Sequence, residues 1–259
     1  MYTEPTNFLG VLVAGLLKIA FPLLPDVLVM QIMALPAVVH LGILAAGLQV
    51  VAYILYIRDD EIDPNPTTWF MFAYGTGLLA IMEWDSDATP AELFLPTVCA
   101  LFSIYVSLRC WIRARKADPS RLWPRGWWPD DFWEKVSFTL DIIITVIYVA
   151  AWILGESSIL TKEQRYWAVL TSLFLSNIST FIQFYPMLHE THLHPERENS
   201  KPWTIWAAAY GTLALVTYLT HGEVWHHLMF YPLSSCFLHL LMGWLARPSR
   251  LKDRVPVHA

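Results

Sequence analysis

The stretch PTTWFMFAYGTGLLA at residues 66–80 returns as PWTIWAAAYGTLALV at residues 202–216, and the match runs without a gap from 66–96 onto 202–232 at a constant offset of 136. Identical pairs are Pro66/Pro202, Thr68/Thr204, Ala73/Ala209, Tyr74/Tyr210, Gly75/Gly211, Thr76/Thr212, Leu79/Leu215, Phe94/Phe230 and Pro96/Pro232. That is more than shared apolar composition produces, so the chain reads as an internal duplication. The duplication bears on function because many transporters are built from repeats, with the substrate site at the repeat interface near the bilayer midplane.

Outward from this pair the chain is 56% hydrophobic and only 15% charged, with a mean hydropathy of +0.43, which points to a bilayer rather than to water. A hydrocarbon core about 30 Å thick takes roughly 20 apolar residues per helix. Windows of that kind occur at 36–57, 66–83, 90–112, 134–155, 166–188, 202–220 and 224–246. Their continuous apolar character, without period-two alternation, selects helices over a barrel. The expected fold is all-α and polytopic, with seven transmembrane helices. The offset assigns 36–112 to a first three-helix repeat and 166–246 to a second, with a linker helix in 113–165 between them. A repeat with an odd number of spans is inverted if joined directly, so one extra helix restores parallel orientation, and the axis relating the halves is expected along the membrane normal.

Basic residues set the expected sidedness. Arg113, Arg115, Lys116, Arg121, Arg125 and Lys135 mark one loop, and Arg247, Arg250, Lys252 and Arg254 mark the tail 247–259. An even number of spans separates them, so both are expected in the cytoplasm, with the start of the first repeat outside and the acidic loop of Glu83, Asp85, Asp87 and Glu92 also outside. The inner membrane of a cell is the expected location. Net charge of −5 gives no nucleic-acid footprint. In the region 1–35, FLGVLVAGLLKIAFPLL at residues 8–24 carries Lys18 in its middle and Pro22 near its end, with Pro25 just beyond, and reads as an interfacial helix or a further span, with a signal sequence disfavoured by Glu4 and the absence of a leading basic group. Cys99, Cys110 and Cys236 fall in or at the edge of spans, so no disulfide framework or CxxC zinc pattern is expected. WPRGWWPDDFW at residues 123–133 reads as an aromatic anchor at the headgroups, or as a contact for a membrane-complex partner or a second copy.

Buried polar groups carry the functional expectations. Gln49 and Gln183 occupy the first helix of each half, 134 residues apart, which places two extra residues in the second half's first connecting loop. An amide in hydrocarbon must bond or line a polar route, and two at matching depth favour a shared pathway over separate interhelical bonds. Asn177 adds another amide; its N-I-S match is void within a span. Tyr74 and Tyr210, with Trp69 and Trp206 about a turn away, are candidate walls for a small polar or aromatic solute. Pro96, Pro186 and Pro232 are candidate gating bends. Asp141, in the linker helix, either pairs with a hydroxyl such as Thr139 or Thr145 or relays protons.

Two histidine clusters, HETHLH (His189, His192, His194) and HGEVWHH (His221, His226, His227), resemble the His boxes of membrane di-iron enzymes. The expected topology puts them about a bilayer apart, so no metal is assigned. No GxSxG, Walker or dinucleotide glycine pattern is present, and no cofactor is expected.

Two three-helix repeats around a linker helix resemble the SWEET and PQ-loop superfamily. Each half resembles a divergent PQ-loop repeat: an amide near the end of the first helix (Gln49, Gln183), a short polar loop, then a Pro-led helix with an aromatic-Gly step (PTTWFMFAYG, KPWTIWAAAYG). The likeness covers about 36–246. Neither half has an adjacent Pro-Gln dipeptide; Pro186 follows Gln183, and Ala52 stands at that position in the first half. The resemblance implies alternating access for a small solute, with Gln49, Gln183, Asn177, Tyr74 and Tyr210 along the route and Pro96, Pro186 and Pro232 bending to gate it. The alternatives are a non-transporting subunit of a larger membrane complex, and an embedded enzyme, either His-cluster or terpene-cyclase-like, with Glu83 or Asp141 as its acid.

Overall fold

The computed structural model describes residues 35–59, 66–117, 129 and 132–247. The apolar segment 8–24, most of the Trp-rich loop and most of the basic tail lie outside the described residues. Among the described residues there are seven α-helices and no strand: α1 (Ala37–Arg58), α2 (Pro66–Asp85), α3 (Pro90–Ala117), α4 (Phe132–Glu156), α5 (Lys162–Leu193), α6 (Ser200–His221) and α7 (Phe230–Leu245). Short 3-10 turns at Pro195–Arg197 and His227–Met229 precede α6 and α7. Five segments are long and apolar enough to cross a membrane: Ala37–Arg58, Pro90–Arg113, Phe132–Glu156, Lys162–Leu193 and His227–Leu245. α2 and α6 have the length, but Thr, Tyr and Trp dilute their apolar character.

Helix ends follow local chemistry. Thr161 and Gln164 form a reciprocal capping box at the start of α5, with Gln164 N donating to Thr161 Oγ1 at 3.2 Å and Thr161 N to Gln164 Oε1 at 2.9 Å. Asn199 caps α6 by accepting from Lys201 N at 3.0 Å. Gly222 closes α6 in the left-handed conformation at φ 73°, its N–H returning to Tyr218 O.

Consecutive helices are not always neighbours. α1 packs on α3, and α3 packs on α2; likewise α5 packs on α7, and α7 on α6. Between these groups α1 lies along α6 and α2 along α5, while α4 packs chiefly on α5. One core cluster gathers Ala45, Leu79, Leu95, Ile144, Leu213 and Val216; a second, rich in aromatic rings, gathers Tyr53, Tyr56, Trp69, Phe72, Trp203 and Trp206.

The buried faces repeat with their own register. Thr68, Trp69, Phe72, Ala73, Leu79, Met82 and Glu83 of α2 are buried, and so are the residues 134 further on: Pro202, Trp203, Trp206, Ala207, Leu213, Val216 and Thr217. At the offset of 136 read from identities, Thr68, Phe72, Leu79, Met82 and Glu83 fall on the exposed Thr204, Ala208, Leu215, Tyr218 and Leu219. Gly42, Ala45 and Gln49 of α1 also match buried Ser176, Ser179 and Gln183 of α5 at 134. α3 and α7 match at 136, pairing Leu95/Tyr231, Cys99/Ser235, Ser103/His239 and Val106/Met242. The two-residue difference therefore falls between the second and third helices of each group, and not in the first connecting loop. Two residues turn a helix face by about 200°, which is why the identical Tyr74 and Tyr210 look in different directions.

Candidate functional site

The aromatic cluster encloses a small cavity where α1, α2, α3, α5, α6 and α7 converge. Its walls are Tyr53, Trp69, Phe72, Thr76, Cys99, Thr180, Gln183, Phe184, Trp203, Trp206, Tyr210, Tyr231, Ser235 and His239. Its volume of about 30 Å³ holds about two waters. The rings meet mostly edge to face: Trp203 on Trp206 at 4.8 Å and 69°, Tyr53 on Trp206 at 5.0 Å and 68°, the arrangement that ring quadrupoles favour. Trp69 and Trp206, one from each group of helices, stand 6.0 Å apart.

Hydroxyls on the wall bond one another. Tyr210 Oη and Tyr231 Oη are 2.9 Å apart, and Tyr53 Oη and Ser103 Oγ 2.8 Å apart, while Tyr53 Oη also donates to Cys99 O at 3.3 Å. His239 donates from Nδ1 to Ser235 O at 2.6 Å and lies against Tyr210 with ring centroids 4.7 Å apart. Trp206 Nε1 and Gln49 Oε1 are buried without a hydrogen-bond partner among the described residues.

Gln183 reaches the wall because α5 presents it beside Gly75 of α2, where a Cβ would lie 3.0 Å from Gln183 Nε2. Its Nε2 donates to Asp141 Oδ2 at 2.8 Å, and Ser179 Oγ, one turn earlier on α5, donates to Asp141 Oδ1 at 2.5 Å. Ser137 Oγ lies 3.2 Å from Ser179 Oγ and extends the network. Asp141 is 1% exposed. The linker helix is thus joined to the cavity wall through one carboxylate. The expected pairing of Asp141 with Thr139 or Thr145 is corrected: Thr145 Oγ1 donates to the backbone oxygen of Asp141, and the carboxylate is satisfied from α5. Sequence spacing along α4 favoured the local hydroxyls because the packing of α4 against α5 is not written in either helix alone.

The sequence candidates divide. Trp69, Trp206, Tyr210 and Gln183 line the cavity together. Gln49 is 1% exposed and one turn from Tyr53, but it is not part of the wall. Asn177 donates to Leu173 O at 2.9 Å on its own helix and accepts from Ser234 Oγ at 3.5 Å. Tyr74 turns away from the cavity to hydrogen-bond Thr145 Oγ1 of α4. Pro96 and Pro186 lie within α3 and α5, whereas Pro232 is the third residue of α7. There it occupies the first turn, where a missing N–H breaks no helical bond.

Sequence reasoning missed Tyr53, Trp203, Phe184, Tyr231, Ser235 and His239. Trp203 stands 134 residues after Trp69, as Gln183 does after Gln49, and that spacing was the available signal.

Each end of the bundle carries a second polar group. At the acidic end Glu92 Oε1 is 3.0 Å from His221 Nε2, the His221 and His226 rings stack at 3.8 Å, and Arg165 bridges Asp85 at 2.8 Å and Glu156 at 2.9 Å. Burial and the neighbouring His227 and His221 hold His226 below its usual range. At the basic end Trp203 Nε1 donates to Glu198 Oε2 at 2.9 Å, Tyr56 Oη donates to Glu198 Oε1 at 3.4 Å, and Asn199 Nδ2 donates to Asp59 Oδ2 at 2.6 Å. Burial pushes the Glu198 carboxyl up to about 7, against the opposing hydrogen bonds from Trp203 and Tyr56. His189 and His192 lie at the far end of α5, separated from His221 by the length of α6. Among the described residues no group of His, Cys, Asp and Glu side chains has the arrangement to hold a metal ion. Comparison of the chain with family models, with curated proteins and with solved structures finds no match.

Proposed function

We propose that the chain is a SWEET/PQ-loop-like membrane transporter that moves a small polar or aromatic solute by alternating access, with α1–α3 and α5–α7 as two parallel repeats and α4 as the linker. The observation that carries this reading is the cavity itself, whose walls come from both groups of helices. The neighbour pattern supports it: exchanging α1 with α5, α2 with α6 and α3 with α7 turns each of the main packed pairs into another packed pair and leaves α4 out. The repeated burial registers support it as well. A route through hydrocarbon needs polar groups where solute passes, and Gln183, Ser235, His239 and Trp206 Nε1 supply them. Among the described residues no Asp, Glu, Lys or Arg side chain lines the cavity, which favours a neutral solute with a flat face to lie on rings and an edge to hydrogen-bond.

A cavity of two waters' volume does not admit such a solute without movement of its walls. Asp141 holds Gln183 from behind and is the candidate proton relay.

Thermal unfolding of the purified protein across a library of small polar and aromatic solutes tests the reading. A bound solute stabilises only the folded state, by about 2.7 kcal/mol at a hundred times its Kd. At least one solute is expected to raise Tm in the wild type, and by less in Trp206→Phe, which keeps a ring and loses the N–H. A library without a stabilising member, or one whose hits ignore Trp206→Phe and Ser235→Ala alike, removes the cavity as the solute site.

A further inference from the structure

At the basic end of the bundle, hydrogen-bonded to Trp203 of the cavity wall, stands a carboxyl group that is not among the residues read from sequence. Glu198 precedes α6 and reaches across to α1, where Tyr56 Oη donates to it, and it also takes the indole N–H of Trp203. Trp203 belongs to the cavity wall, and the Tyr56 ring lies 5.1 Å from Trp69 and 5.4 Å from Trp206. Beside it Asn199 donates to Asp59, again joining the second group of helices to the first. Both contacts bridge the ends of the same two elements, α1 and α6, directly below the wall. Separating α1 from α6 at this end would break both contacts.

We infer that Glu198 is the latch of the basic-end mouth, bridging the two groups of helices when the mouth is shut and releasing a proton to water when it opens. This rests on the reading of the cavity as a solute route. Closed, the carboxyl is half-buried between two aromatic side chains, and burial pushes its pKa up to about 7. Opened, it is wetted and returns toward the ordinary glutamate value of about 4.3. The sign follows from linkage: the shut form binds the proton more tightly, so protonation favours closure. That stabilisation is complete below about pH 4.3 and fades as pH rises through about 7. Raising the pH therefore opens this mouth.

Other charged groups stand around the latch. Asp59 stands beside it and opposes ionisation, Arg197 is held by Glu190 at 2.8 Å and Glu196 by His194 at 3.3 Å. On α3, Arg109 bonds Ile57 O and lines, with Arg113, a separate pocket next to Tyr56 and Asp59. Of these groups only the Glu198 carboxyl accepts hydrogen bonds from both Tyr56 and Trp203.

Cys99 lines the cavity at 6% exposure, so its alkylation reports opening. In a C110S/C236S background, the rate of Cys99 alkylation by a small maleimide is measured from about pH 5 to about pH 8 and divided by the rate in the same protein carrying Glu198→Gln. The amide is uncharged at every pH, so the ratio cancels the thiol's own titration. The ratio is expected to rise about tenfold or more over this range. If Glu198→Gln is not recovered folded, Glu198→Ser serves as the uncharged reference. A flat ratio in a protein that a solute still stabilises overturns the latch and leaves the route standing. Cys99 unreactive at every pH, in a protein that no solute stabilises, overturns the route and the latch with it.

Discussion

Asp141 and Gln183 form the contact whose loss is easiest to weigh. The carboxylate is 1% exposed and has two side-chain donors, Ser179 and Gln183. Removing one donor from a buried acceptor costs about 1–3 kcal/mol, so Gln183→Leu is expected to lower stability by that amount despite the ease with which leucine sits among apolar neighbours. Ser179→Ala should behave similarly. Because both act on one carboxylate, the double variant should depart from additivity by about 0.5 kcal/mol or more. Gln49→Leu is expected to be neutral or stabilising, since Gln49 Oε1 has no partner to lose. Thermal unfolding in one detergent checks all four variants; equal losses for the two glutamines would refute the distinction. The pair was legible in sequence as two buried amides at equal spacing. Their different surroundings were not, because Asp141 approaches from α4, and which helix lies beside which is decided by packing across the whole bundle. Tyr74 and Tyr210 teach the same lesson: identity of residue and neighbours in sequence did not secure identity of face.

At the scale of elements, hydropathy was the dependable guide. Windows at 36–57, 90–112 and 134–155 correspond to Ala37–Arg58, Pro90–Ala117 and Phe132–Glu156. α5 runs further, from Lys162 to Leu193, than its window of 166–188, because its ends carry Glu163, Arg165, His189 and Glu190 and are helical through capping and backbone bonding rather than apolar content. Close approach of helices is the part that composition hides. A Cβ on Gly42 would lie 2.5 Å from the backbone oxygen of Ala91, so α1 can approach α3 only because this position is glycine. Gly42→Ala is expected to destabilise by about 1–3 kcal/mol through overpacking against backbone that cannot yield. Gly77→Ala is the control: its Cβ would meet only Ala100 Cβ at 4.0 Å, and alanine's better helix propensity contributes about 1 kcal/mol in its favour. Matching changes in Tm for the two variants would show that the α1–α3 approach is not limiting.

The whole molecule has chemically unlike ends, a difference from which an orientation is predicted. Where α1, α3 and α5 finish and α6 begins stand Arg58, Arg109, Arg113, Arg115, Lys116, Arg197 and Lys201; where α2, α4 and α6 finish stand Glu83, Asp85, Glu156 and Glu223, with Glu92 at the start of α3. The excess of Lys and Arg within reach of a membrane predicts a cytoplasmic basic end, so the latch at Glu198 would face the cytoplasm and the Glu92–His221 pair the outside. Ser86, in the acidic loop, is 6% exposed with its hydroxyl bonded to Met82 O, and a thiol there would be shielded whichever way the protein sits. Trp225, between α6 and α7, is 88% exposed and reports the side without that ambiguity. In a cysteine-free background, Trp225→Cys is expected to react with an impermeant thiol reagent on intact cells, and Lys116→Cys, exposed at the end of α3, only after the membrane is breached. Lys116→Cys reacting on intact cells while Trp225→Cys stays silent would invert the molecule, and with it the direction in which the Glu198 proton is released.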